Sequence, residues 1–179
     1  MAAPNERLTR QYRRAEVAEP TYSELGATAS GRAMPPGYHH LHRRVRVGEG
    51  NEAFHDARIT VFTWGMQRQA GLTVYPADSP PKEGHTVLVV TQLGPLRVTA
   101  PCRVIWTVDE PNEAGFGYAT LPGHPERGEE AFLVERDTQN QVWAVVRAFS
   151  RPATWYSRLG APVARRVQNR VTRDYLRAF

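Results

Sequence analysis

The chain has 179 residues and a mass of 20.2 kDa, with 41% hydrophobic residues, a formal net charge of +5 and a pI near 9.8. That length suits one domain with a sizeable core, and no apolar run approaches the roughly 18 residues that a membrane-spanning helix needs. All the basic residues except Lys82 are arginines, yet no zinc-finger spacing, RNP-like strand or recognition helix accompanies them, so nucleic acid is not expected as a partner.

Residues 1–20 are polar and rich in Arg and Glu. They read as an arm or a frayed helix, disordered at its extreme end, and they lack the apolar stretch of a secretory signal, so a cytoplasmic location is expected. Residues 21–179 then read as a single domain. Gly26, Gly31, Pro35, Pro36 and Gly37 mark a loop, after which Tyr38 to Val47 alternates like a strand. Asn51 opens a helix with Phe54, Ala57, Val61 and Trp64 at spacings of three and four, and Gly71 is its natural stop. Ile59, Phe62 and Met66 are apolar as well, so this helix belongs against a sheet.

From His85 the period changes to two. HTVLVVTQ is a short strand. Beyond the Leu93-Gly94-Pro95 turn, Leu96, Val98, Ala100, Cys102, Val104, Trp106 and Val108 share one face of a long half-buried strand, with Ile105 the one exception and a bend or bulge expected at Pro101. Cys102 has no partner for a disulfide or a cysteine zinc site, and its place in the alternation predicts a buried, inert thiol. GFGYATL, EEAFLVERD and QVWAVVRAF supply three further strands. A final helix is expected from Ser150 and Pro152 onward, with Trp155, Leu159, Val163, Val167, Val171 and Tyr175 recurring every four residues and a kink at Gly160-Ala161-Pro162.

The expected class is α+β, a curved antiparallel sheet wrapped around a long C-terminal helix with a cavity between them. The alternative is a small closed β-barrel with peripheral helices.

The chain resembles the family called domain of unknown function nineteen-ninety, from about Tyr22 to Leu176. The resemblance rests on LGAT (Leu25–Thr28), PPGYHHLHRRVRVGEG (Pro35–Gly50), the Phe54–Trp64 helix and MQRQAGL (Met66–Leu72). CRV (Cys102–Val104), GFGYATLPGHPERGEEAF (Gly115–Phe132) and AFSRPATWYSRLGAPVARRVQ (Ala148–Gln168) extend it. It implies a compact domain and brings no reaction with it. The layout is similar to helix-grip proteins of the Bet v 1 and START type, an architectural likeness alone.

Three stretches are candidates for function. In TLPGHPERGEEAF (Thr120–Phe132) the prolines and glycines fix a turn and would aim His124 at low entropic cost. His124 with Glu126, Glu129 or Glu130 supplies a base beside carboxylates, and Arg147 is expected to pair with a glutamate of this loop or with a ligand anion. If Glu130 shares a face with Phe132 and Val134, its carboxyl points inward and its pKa rises. The competing reading is a hairpin whose acids are solvated or paired with Arg127 and Arg136. His39, His40 and His42 suggest a metal, but only His40 and His42 share a face and a third ligand is lacking, so no metal is assigned. Arg158, Arg165, Arg166, Arg170, Arg173 and Arg177 would give the last helix a basic face, either solvated or weakly drawn to an anionic membrane surface.

The expected function is binding of a small hydrophobic or amphipathic molecule in the cavity, with Tyr38, Trp64, Trp106, Tyr118, Phe132, Trp143 and Trp155 as its wall. Acid–base chemistry without a cofactor could accompany binding: cyclisation, dehydration, isomerisation or hydrolysis, with His124, Glu126, Glu130 and Arg147 as its groups. The alternative is a non-enzymatic interaction or membrane-surface protein acting through the C-terminal arginines.

Overall fold

In the computed structural model, which describes residues 6–77, 79–93, 96–153 and 172–179, the period-two segments become strands of one sheet. They are β1 (His39–Glu49), β2 (Thr73–Tyr75), β3 (Thr86–Leu93), β4 (Leu96–Glu110), β5 (Glu113–Thr120), β6 (Glu126–Arg136) and β7 (Gln141–Pro152). The order across the sheet is β1-β7-β6-β5-β4-β3-β2, and every neighbouring pair is antiparallel. The sheet curls but stays open, with β1 and β2 as its two edges, so the closed-barrel alternative is set aside.

Strand alternation divides the buried residues between two faces. The inner face carries Leu41, Cys102, Val104, Phe116, Tyr118, Phe132, Val134, Val142 and Val146, and it packs against Phe54, Ala57 and Val61 of the helix α2 (Gly50–Phe62). The single helix expected from Asn51 to Gly71 is in fact two. It breaks at Trp64, whose φ of 59° is left-handed, before α3 (Gly65–Gln69). Packing sets this break: the Trp64 indole is buried edge-on to Phe116, with ring centroids 4.9 Å apart, and its Nε1 donates to the Ser79 carbonyl at 2.7 Å.

The final helix was expected to begin near Ser150, and that start is corrected. Ser150 and Pro152 belong to β7, because Ser150 is flanked by His39 of β1 and Gly128 of β6, and Pro152 by Glu126. Most of the predicted helical stripe, including Trp155, and the arginines at 158, 165, 166 and 170 lie outside the described residues. The stripe's end is described. Residues 172–175 form a helical turn that lays Tyr175 edge-on against Phe132, with centroids 5.0 Å apart, on the inner face.

The outer face is covered by the chain's beginning. Residues 6–16, expected as an arm or frayed helix, form α1 (Glu6–Glu16), whose Leu8 and Ala15 pack on Leu88, Val90 and Leu121. Arg103 of β4 ties down the end of this helix. Its guanidinium donates to the carbonyls of Ala15, Glu16 and Ala18, each at 2.9 Å, and to the Thr86 hydroxyl. Carbonyls at a helix terminus lack their usual intrahelical partners, and here, among the described residues, only Ala15 gains a backbone one, from Ala18 N–H at 3.2 Å. Arg103→Ala is therefore expected to cost about 1–3 kcal/mol and to remove hydrogen-exchange protection from α1 while β5–β7 keep theirs. Unchanged protection in α1 would contradict this anchoring.

The expected alternation of β4 fails at one point. Val104 pairs with Tyr118 and Trp106 with Gly117, so Ile105 is an extra, bulged residue. A bulge turns the residues beyond it to the opposite face. Trp106, expected to share a face with Val104, instead lies on the outer face. It occupies the space over Gly117, where a Cβ would stand 2.3 Å from the indole nitrogen.

Candidate functional site

The stretch TLPGHPERGEEAF is loop only from Leu121 to Pro125, because β6 begins at Glu126. Its acids therefore obey strand alternation. Glu130 joins Phe132 and Val134 on the inner face, and Glu129 points outward. Successive carboxylates are thus sent to two different environments.

Glu130 is partly buried among aromatic rings. The Tyr118 hydroxyl donates to its Oε2 at 2.8 Å, and Phe132 lies against Tyr118 and Phe116 with ring centroids 5.5 and 5.4 Å away. Burial disfavours the ionised carboxylate and pushes the Glu130 pKa up to about 7; the Tyr118 hydrogen bond partly opposes this shift, and the nearby Glu126 charge adds to it. The phenols of Tyr118 and Tyr175 and the Cys102 thiol are raised too, first by burial and then by the Glu130 charge. The result is a carboxyl that exchanges its proton near neutrality beside phenols that stay protonated. That pairing suits both accepting and delivering a proton.

His124 is placed differently. Glu126 N–H donates to its Nδ1 at 2.9 Å, and the same nitrogen lies 2.9 Å from the Glu126 carbonyl. A ring nitrogen that accepts an N–H carries its lone pair, which fits the neutral form, and burial lowers the His124 pKa to about 4. The imidazole thus braces its own loop. No hydrogen bond joins it to a glutamate side chain among the described residues.

Arg147 stands on the outer face, opposite to Glu130. It pairs with no loop glutamate and instead donates to the carbonyls of Ala29 at 2.9 Å and Arg32 at 2.8 Å. Outward-pointing Glu129, only 2% exposed, accepts from the Tyr22 hydroxyl at 2.6 Å, Gly26 N–H at 2.8 Å, Thr28 N–H at 2.9 Å and the Thr28 hydroxyl, with Trp106 Nε1 at 3.3 Å. Together they hold residues 22–32, the carboxylate taking N–H groups of LGAT and the guanidinium the carbonyls of Ala29 and Arg32 just beyond it.

The expected ligand wall divides accordingly. Tyr118, Phe132 and the fully buried Trp64 belong to the inner face. Tyr38, Trp106 and Trp143 are on the outer face. Tyr38 is edge-on to Phe149 with Arg151 over its ring, and Trp143 lies under Arg44 with its Nε1 donating to Asp137 at 2.9 Å. His39, His40 and His42 are exposed on the edge strand β1, and His40 Nε2 lies 2.7 Å from the Pro35 carbonyl. Among the described residues no three His, Cys, Asp or Glu side chains gather as metal ligands, and no helix is long and apolar enough to cross a membrane. Tyr175 and Cys102 complete the inner cluster. Tyr175 was legible in the helical stripe and Cys102 in the strand alternation, but neither carried a sign of nearness to Glu130.

Sequence and structure comparisons place this geometry among known proteins. The family model described as Domain of unknown function (DUF1990) matches residues 21–178. A UPF0548 protein of Deinococcus radiodurans is 39% identical over 168 residues, covering 88% of this chain and 84% of its own. A UPF0548 protein of Arabidopsis thaliana is 32% identical over 139 residues, covering 74% and 67%. Among solved structures, a hypothetical protein from Helicobacter pylori aligns with a TM-score of 0.56 at 10% identity, over 83% of this chain and 96% of that one. That last likeness concerns the fold alone.

Proposed function

The chain belongs to the DUF1990 family, and we propose that it binds a small hydrophobic or amphipathic molecule against the inner face of the sheet, where Glu130 exchanges a proton with it. The observation that carries this reading is a partly buried carboxyl with a pKa near 7, hydrogen-bonded by Tyr118, near Tyr175 and on the same strand face as Phe132. Aromatic walls supply non-directional affinity, and one titratable group supplies orientation and chemistry.

The reaction class is acid–base chemistry without a cofactor: cyclisation, dehydration, isomerisation or hydrolysis. Glu130 takes the proton as carboxylate or delivers it as the acid. Tyr118 holds the carboxyl in place and steadies negative charge as it develops. His124 and Glu126 flank this centre, His124 by shaping the loop and Glu126 by keeping the Glu130 pKa high.

Native mass spectrometry of the purified protein reads any retained organic molecule directly. Prodan, an uncharged naphthalene dye, reports the apolar site without supplying a charge of its own. Covering Glu130 with an apolar body penalises its ionised form, so the dye should bind several-fold more tightly below pH 7 than above it. Glu130→Gln should flatten that profile and Tyr118→Phe should shift its midpoint. Dye binding with the same pH profile in the parent and Glu130→Gln would remove this reading.

A further inference from the structure

The outer face holds a cleft of 430 Å³ that the inner-face reading does not use. Its floor is the β4 bulge, with Ile105 and Trp106 half-buried. One wall is the stretch of residues 25–32 with Leu25, Ala29 and Arg32, and the other is the Glu83-Gly84 turn ahead of β3. Leu25, 45% exposed, forms part of its rim.

We propose that this cleft is a second binding site, for a small planar organic acid whose anionic group meets Arg32 and whose flat body lies on Trp106 and Ile105. Three observations combine. The Arg32 guanidinium has no hydrogen-bond or ion-pair partner among the described residues, although its carbonyl is held by Arg147. Arg103 adds a second positive charge to the lining, against Glu83, while the Glu129 carboxylate behind Gly26 and Trp106 is taken up by the Tyr22, Gly26 and Thr28 donors, so the charge left facing the cleft favours an anion. Arginine also matches a carboxylate in planar, two-pronged fashion.

The third observation is that the cleft is built in advance. Glu129 fixes the backbone N–H groups of Gly26 and Thr28, and Arg147 fixes the carbonyls of Ala29 and Arg32. The opposite wall is held by Gly84 N–H on the Val104 carbonyl at 2.8 Å. Trp106 is located by its bulge, by contact with Gly117 and by its Nε1 bond to Glu129. A ligand entering such a cleft orders little of the chain, which keeps more of the contact energy for affinity. It also explains a bulge at this point, since bulges re-aim side chains beside sites.

The probes are 2-naphthoate and its uncharged counterpart 2-naphthamide, followed by amide and indole NMR shifts of the full chain. Naphthoate should shift Gly26, Gly84, Ile105 and the Trp106 indole, with naphthamide and the Arg32→Gln variant each weakening binding about tenfold or more. Ala29→Trp, which fills the cleft, should abolish these shifts while signals from β6 and β7 stay in place. Glu130→Gln should leave naphthoate binding unchanged, which separates this site from the inner face. The proposal is overturned if those four signals stay still at about 2 mM naphthoate, if the amide binds as well as the acid, if Arg32→Gln has no effect, or if Glu130→Gln abolishes the shifts.

Discussion

Replacing Glu129 with alanine should destabilise the fold by about 3 kcal/mol or more. A carboxylate 2% exposed is tolerable only because every donor around it points inward. Tyr22, Gly26 and Thr28 lose their acceptor together, and the Trp106 indole loses its contact. The backbone N–H groups of Gly26 and Thr28 are left without their acceptor, so residues 21–32 should lift from the sheet. Glu129→Gln keeps one oxygen but turns an N–H₂ group toward N–H and O–H donors, so it should also destabilise, by less than alanine. Denaturant unfolding gives the size of the effect, and limited proteolysis gives its place, with new cleavage between Tyr22 and Arg32. An alanine variant with the parent's unfolding midpoint and cleavage pattern would show that Glu129 does not anchor the segment.

The contrast between Glu129 and Glu130 also explains how far the sequence could be read. The antiparallel sheet was legible because alternation in β4 is nearly uninterrupted, because β7 carries a short β-branched apolar run, and because Phe54, Ala57 and Val61 mark one face of a helix. The site was harder because PERGEEAF contains Gly128, which reads as a turn. In the structure Gly128 is a strand residue whose smallness is demanded by β7, since a Cβ there would meet the Phe149 carbonyl at 1.9 Å. Moving the start of β6 to Glu126 assigns each glutamate a face, and the pairing of Arg147 with the loop disappears.

Ile105 is a similar case. The run Val104-Ile105-Trp106 interrupts the alternation, and that interruption is the trace of the bulge that sends Trp106 outward. The Glu129 anchor left no trace of this kind. Its partners are about a hundred positions earlier in the chain, and nothing in the spacing of LGAT announces a carboxylate receptor. Long-range polar pairing has no period, so it surfaces only when the strands are in register.

Glu130 supplies the second large effect, and it appears as a difference between two proteins. Its carboxyl ionises near 4.5 in an unfolded chain and near 7 in the fold. Between those values the folded protein holds one proton more than the unfolded one, so raising the pH favours unfolding. The stabilisation is complete below about 4.5 and lost above about 7, a total of about 3 kcal/mol. His124 acts in the opposite sense. Burial lowers it from 6.5 to about 4, so across that window the unfolded chain holds the extra proton and stability rises with pH. The two slopes overlap and largely cancel, and the parent's stability should change little between about pH 4.5 and 6.5. Glu130→Gln keeps a neutral side chain that accepts the Tyr118 hydroxyl but has no proton to lose. Its stability should therefore rise through that window under the influence of His124, and above about pH 7 it should exceed the parent's by up to about 3 kcal/mol. His124→Asn should reveal the other slope, with stability falling as the pH climbs. Urea unfolding of the three proteins at matched pH values reads each slope, and ¹³C NMR of the Glu130 carboxyl gives its pKa directly. Parallel stability curves for the parent and Glu130→Gln would mean that Glu130 ionises in the fold as it does in water, and the acid–base role assigned to it would fall with that result.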